Sequence, residues 1–182
     1  MIGIAVLIVV VVVAMKEIPK AEGFQNGVNQ AWVRYGNDFG NAPPEWVSGE
    51  YEKTFAGIVE SGGNTARIWV HCGGEQTPIF DEKRNVIATD RNGTLVEDIW
   101  RMVKSAEKMG VTSVWLSLWN LAVPPSSALY SLFFQPLSLP SYFRIVLIPL
   151  LQRLSSISSF VGIEIINEVC FILFYFYFII IF

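Results

Sequence analysis

An apolar run, Gly162-Ile163-Glu164-Ile165-Ile166, delivers an Asn-Glu pair, Asn167-Glu168, at its end. A carboxyl group at the carboxyl end of a buried parallel strand stands where a parallel α/β barrel keeps its chemistry. That placement makes Glu168 a candidate catalytic acid. Cleaving a glycosidic bond generally uses two carboxyl groups, one to protonate the leaving oxygen and one to attack or to activate water from the other side. Glu168 is the candidate for the first; the chain ends 14 residues later, and no residue is assignable to the second.

Arg67 interrupts another apolar run, residues 66–70. A charge there requires a nearby partner, either a structural ion pair or an active-site carboxylate. His71, the only histidine, is either a substrate-binding group or a hydrogen-bonded structural residue. Trp32, Trp69 and Trp119 fall at the ends of strand candidates, where an indole face matches the C–H face of a pyranose; each is equally an ordinary packing residue. Trp100, inside a helix candidate, reads as packing. Glu75, Asp81 and Asp90 share one loop, but their spacing fits neither a calcium loop nor a zinc motif, so we read a solvated loop and no metal site. Gly62-Gly63 and Gly73-Gly74 lack the lysine or strand-to-helix context of a phosphate loop, and no cofactor is expected.

The elements that must position these groups are legible in the middle of the chain. Residues 24–120 alternate strand and helix. Residues 24–33 contain a short strand, and Val47, Tyr51, Phe55, Ile58 and Val59 lie near helical spacing over 47–60, with Ser61-Gly62-Gly63-Asn64 ending that helix. Residues 66–70 form a buried strand, and 73–93 a polar, glycine-containing loop. Thr94 to Glu97 has capping-box spacing ahead of the stripe Leu95, Ile99, Met102, Val103, Ala106 and Met109, which Gly110 ends. Residues 111–119 are the next strand. Short connections between alternating elements imply right-handed parallel βαβ units and an α/β fold.

Apolar residues make up 52% of the 182, but they concentrate at the two ends. The thirteen residues 2–14, apolar apart from Gly3, suit a signal-peptide core and fall short of the roughly 20 needed for a spanning helix, so we expect 1–22 to act in export and the protein to be extracellular. No basic residue precedes that core, which keeps a membrane anchor as the alternative. From 121 to 163 only Arg144 and Arg153 are charged and five of the nine prolines occur, so a charged outer face for a barrel helix is missing. Residues 169–182 carry no polar group except tyrosine, and we read them as a hydrophobic tail of translated-intron type. A net charge of -3 leaves no basic surface for nucleic acid. Cys72 and Cys170, the two cysteines, are expected to be free.

Gly27-Val28-Asn29-Gln30-Ala31-Trp32, Tyr35-Gly36-Asn37-Asp38-Phe39-Gly40 and Gly62-Gly63-Asn64-Thr65-Ala66-Arg67-Ile68-Trp69-Val70-His71 together resemble the start of glycoside hydrolase family 5 enzymes, its endo-β-1,4-mannanases in particular. Thr77-Pro78-Ile79-Phe80-Asp81, Leu118-Trp119-Asn120 and Glu164-Ile165-Ile166-Asn167-Glu168 resemble later blocks of the same family, in the same order. The resemblance implies a partial (β/α)8 TIM barrel of about four βα units over 23–168, matching poorly at 121–160. It also implies a retaining mechanism on β-mannan, with Glu168 as acid/base and Asn167 holding the sugar's 2-hydroxyl. Arg67 would orient the nucleophilic carboxylate, which belongs to a later strand, and His71, Trp32, Trp69, Trp119 and Asn120 would line the substrate. A related β-1,4-glucanase, or a non-catalytic membrane-associated or sugar-binding protein, is the rival reading.

Overall fold

A computed structural model describes residues 23–40, 48–120, 127–135 and 137–167. Residues 1–22, for which export is the expectation, and Glu168, Cys170 and the rest of 169–182 lie outside the described residues.

Four parallel strands make the main sheet, in the order β1 (Gly27–Gln30), β2 (Thr65–Cys72), β5 (Ser113–Asn120) and β6 (Phe160–Asn167). Between β1 and β2 runs α1 (Ser48–Glu60), and between β2 and β5 runs α2 (Leu95–Met109). One alternate set of strand residues, Ala66, Ile68 and Val70 with Val114, Leu116 and Leu118, is buried with the apolar stripes of the helices. Tyr51, Phe55 and Ile58 come from α1, and Leu95, Ile99, Met102, Val103 and Ala106 from α2. Full burial of one such aliphatic side chain contributes roughly 2 kcal/mol, so this layer holds the sheet in register. The other alternate set, including Arg67, Trp69, Ser117 and Glu164, occupies the opposite face.

The helix α2 ends as expected, with Gly110 at φ 95° and its amide bonded back into the last turn. Its start corrects the capping-box expectation. Thr94 makes no side-chain bond to the helix amides; its hydroxyl donates to the Gly40 carbonyl and to Asp98. Asp90 caps instead, accepting from the amides of Asn92, Thr94 and Leu95 at 3.0, 3.1 and 3.0 Å. A carboxylate reaches several amides at once and lies at the positive end of the helix dipole, an arrangement that outcompetes a single hydroxyl. Asp90 is therefore buried, not part of a solvated loop. Burial alone would raise its pKa, but the Thr89 hydroxyl and these amides outweigh it and hold the carboxyl below its usual value.

Two further elements depart from the sequence reading. The loop 73–93 contains a small antiparallel pair, β3 (Ile79–Phe80) with β4 (Val86–Ala88). The charge-poor segment after β5 forms helices after all: α3 (Ser127–Phe134), α4 (Ser138–Tyr142), a π-helical turn (Phe143–Leu147) and α5 (Ile148–Leu154). Leu150, Leu151 and Leu154 are buried, while Arg153 reaches Glu97 of α2 at 3.0 Å and lies 4.0 Å over the Trp100 ring. The charges that solvate this layer are thus shared with α2. Among the described residues no helix is long and apolar enough to cross a membrane.

Candidate active site

The four main strands carry the expected site residues, Asn120 and Asn167 at the carboxyl ends of β5 and β6 and Arg67 as the third residue of β2, and Arg67 reaches the other three strands. From β2 its Nη1 donates to Asn29 of β1 at 2.9 Å, and its Nη2 donates to Ser117 of β5 at 3.3 Å and to Asn167 of β6 at 2.8 Å. Nε donates to Glu164 of β6 at 3.0 Å, and Nη2 makes a second, shorter bond to the same oxygen. Parallel pairing explains the convergence, because it brings Asn29 opposite Arg67 and Ser117 opposite Glu164. The charge in the apolar strand has its partner: the Arg67 side chain is 25% exposed and that of Glu164 41%. Glu164 was not singled out in the sequence, although it interrupts an apolar run just as Arg67 does.

The Asn167 side chain completes this network and leaves one group over. Its Oδ1 accepts from Arg67, while its Nδ2 is buried with no hydrogen-bond partner among the described residues. The residue is 7% exposed. Arg67 therefore sets the sense of the amide, with the oxygen inward and the NH2 available to an acceptor.

Trp32, Trp69 and Tyr35 form an aromatic group beside Arg67. Trp32 meets Tyr35 and Trp69 edge-on, with centroids 5.0 and 5.5 Å apart, and the guanidinium carbon lies 5.5 Å from the Trp69 ring centre. Trp32 and Tyr35 are exposed and Trp69 is buried, its Nε1 donating to Asn29 at 3.2 Å. The Asn120 amide donates to the Tyr35 hydroxyl at 3.4 Å. Tyr35 lay inside a quoted motif without being assigned a part. Most of that motif is structural: Asp38 is buried, accepts from the amides of Val33 and Arg34 and from the Tyr51 hydroxyl, and so ties the loop to α1.

His71 and Trp119 stand apart from this open group. Both are buried, His71 completely, with ring centroids 4.7 Å apart. Nδ1 of His71 pairs with the Thr77 hydroxyl at 2.8 Å and Nε2 with the Tyr142 hydroxyl at 3.0 Å. Burial pushes the His71 pKa down to about 3, against a smaller opposing hydrogen bond at Thr77, so the ring is neutral and occupied by protein. Burial likewise raises the Tyr142 hydroxyl well above its ordinary value. Gly74, at φ 81°, allows the close approach: a Cβ there would come within 2.7 Å of both Trp119 and Ala128. Cys72 is free and buried, and burial moves its thiol up to about 11, opposed by the Gly36 amide. Among the described residues no cluster of metal-ligating side chains occurs.

Known proteins resemble this arrangement in sequence and backbone. No protein-family model matches the chain. The mannan endo-1,4-beta-mannosidase of Cryptopygus antarcticus is 36% identical over 145 residues, which is 80% of this chain and 38% of that protein. The beta-mannanase of the blue mussel Mytilus edulis superposes with a TM-score of 0.72 at 31% identity, over 80% of this chain and 41% of that one. The endo-1,4-beta-mannanase of Eisenia fetida gives 0.73 at 32% identity, over 85% and 44%. The chain thus spans about two fifths of the length of the relatives it matches. The resemblance to the β-mannanases of glycoside hydrolase family 5 holds in both sequence and structure. The expectation of a partial (β/α)8 barrel is likewise borne out, in four parallel strands with their helices.

Proposed function

We propose that residues 23–168 are the N-terminal half of the barrel of a glycosidase that cleaves internal β-1,4-mannosidic bonds of mannan by double displacement. The observation that carries this reading is the Arg67–Asn167 contact at 2.8 Å, which ties a cation of β2 to a neutral amide at the carboxyl end of β6, one residue before Glu168. In the proposed reaction Glu168 protonates the leaving oxygen and then, as carboxylate, deprotonates the attacking water. Asn167 donates to the sugar 2-hydroxyl, a bond that strengthens as the ring flattens toward an oxocarbenium ion. Arg67 supplies positive charge beside the reacting centre, and Trp32 with Tyr35 offers exposed ring surface to a neighbouring sugar. The nucleophile is assigned to a strand outside 23–168, so residues 1–182 alone carry one of the two carboxyl groups and are expected to be inactive. The names and folds of the relatives support the substrate class. We further propose that 1–22 directs export, which N-terminal sequencing of secreted protein tests.

The catalytic assignment is tested with Glu168→Gln in the complete enzyme carrying the remaining barrel strands. General acid catalysis is worth about 10² to 10⁴ in rate, and an activated aryl leaving group needs little of it. Hydrolysis of mannan should therefore fall far more than glycosylation by an aryl mannoside, with azide partly restoring turnover. Equal losses on both substrates without azide rescue would refute the acid/base role, and activity on β-glucan in place of mannan would refute the substrate.

A further inference from the structure

The geometry points to Glu164 as a positioning residue that, through Arg67, fixes which end of the Asn167 amide faces the ligand. The proposal rests on the mannan-hydrolase reading for the identity of that ligand, and on geometry for everything else. An amide side chain can present its oxygen or its NH2 in either of two flipped orientations of nearly equal shape, so an unrestrained Asn167 would offer a donor in one and an acceptor in the other. Arg67 has donors only, and its bond to Oδ1 at 2.8 Å selects one orientation. The selection is only as firm as the placement of the guanidinium. Asn29 and Ser117 contribute one neutral acceptor each, whereas Glu164 takes both Nε and Nη2 and is the only anionic acceptor of Arg67 among the described residues. Nε and Nη2 converge on one oxygen of Glu164, a charge-assisted contact that anchors the cation more firmly than either neutral acceptor does.

What the grip leaves over is a donor pair on Asn167 Nδ2, buried and without a partner among the described residues. Buried donors are nearly always satisfied, and an exception calls for an explanation such as a ligand oxygen. The order of contacts Glu164 to Arg67 to Asn167 to ligand thus converts a remote carboxylate into a requirement for an acceptor at the sugar, of the kind a 2-hydroxyl provides. Glu164 touches no substrate in this account.

Two readouts test it. In the 182-residue chain, the side-chain amide proton pair of Asn167, followed by NMR in ¹⁵N-labelled protein, should be dispersed in the wild type. It should collapse toward the solvent-averaged position in Glu164→Ala and recover in part in Glu164→Gln, which keeps an acceptor for Nε. In the complete enzyme, the preference in kcat/KM for an aryl β-mannoside over its 2-deoxy analogue should fall about tenfold in Glu164→Ala, the scale on which partners that orient a contacting group usually act. Partial recovery is expected in Glu164→Gln, and no further fall when Glu164→Ala is added to Asn167→Ala. An Asn167 amide signal indifferent to Glu164 overturns the proposal whether or not the enzyme acts on mannan. So does a loss shared equally by the two aryl substrates, as a purely structural role would produce. An intact amide response in an enzyme that hydrolyses no mannoside would instead remove the mannan reading and leave the positioning relation standing.

Discussion

Arg67 and His71 lie four residues apart on β2, yet their surroundings are opposite in kind. Arg67 is partly exposed, bonds to the three other strands of the sheet, and ends at an amide whose donor pair is unmatched among the described residues. His71 is wholly buried, with both ring nitrogens matched by protein. The His71 ring has no hydrogen-bonding capacity left over, although the indole Nε1 of the adjoining Trp119 is, like Asn167 Nδ2, unmatched among the described residues. The difference comes from what covers each: α4 brings Tyr142 onto His71, while the hydrogen-bond partners of Arg67 among the described residues all come from the strands. The proposed chemistry is accordingly expected around Arg67, and the His71 cluster ties Tyr142 of α4 to the sheet.

The sharpest way to break this contrast is Arg67→Ala in the complete enzyme. It leaves the Glu164 carboxylate without its cation and the Asn167 amide unoriented, and should lower kcat/KM on mannan by about 10²-fold or more. Arg67→Lys should restore little, since an ammonium cannot hold the two-point contact to Glu164 and reach Asn167 and Asn29 together. Steady-state kinetics at a temperature where all variants are folded checks both.

On the closed side the effects should be in stability. The depressed pKa of His71 means that the unfolded chain binds a proton near pH 6.5 that the folded chain refuses until about pH 3. This contribution is fully present above pH 6.5 and is lost as pH falls toward 3, by about 1.4 kcal/mol per pH unit in the middle of that window. Urea melts at a series of pH values should show this slope, and His71→Phe should remove that share of it. Tyr142→Phe should destabilise the fold by about 1 to 2 kcal/mol, because one nitrogen of a buried ring loses its partner. Its unfolding midpoint at neutral pH gives the number. The smallest effect should come from Trp32→Ala on the open side. Its exposed ring adds little to the core, so stability should change by less than about 1 kcal/mol while KM for long mannan chains rises.

How much of this was readable beforehand depended on the length of the repeating pattern. The stripe along α2 runs for 15 residues and announces itself by period, and β2 was legible as an apolar run interrupted by the single charge of Arg67. The pair β3–β4 has strands of two and three residues, too short for a period of two to register, and its antiparallel partners are set by the turn at Arg84, which has φ 64°. Helices α3 to α5 were obscured for another reason: their solvating charge comes partly from Glu97 on a neighbouring helix, which no local pattern contains. The same holds at the site. Arg67 in an apolar strand declared the need for an anion, but only the register of β5 with β6 identifies Glu164, 97 residues away, as the one that answers. Capping at Asp90 was missed because the carboxylate that satisfies the amides sits four residues before the position where a capping hydroxyl was sought.

The contrast between the two clusters reduces to one comparison, kcat/KM on mannan for Asn167→Ala and for Tyr142→Phe in the complete enzyme at a temperature where both are folded. The account predicts a loss of about 10²-fold or more for Asn167→Ala, the size expected when a donor to the developing transition state is removed. Tyr142→Phe should stay within about threefold of wild type, since it alters a contact that is sealed in the protein in every step of the reaction. Equal losses in the two variants, or a greater loss for Tyr142→Phe, would contradict the division of the strand ends into an open catalytic group and a closed structural one.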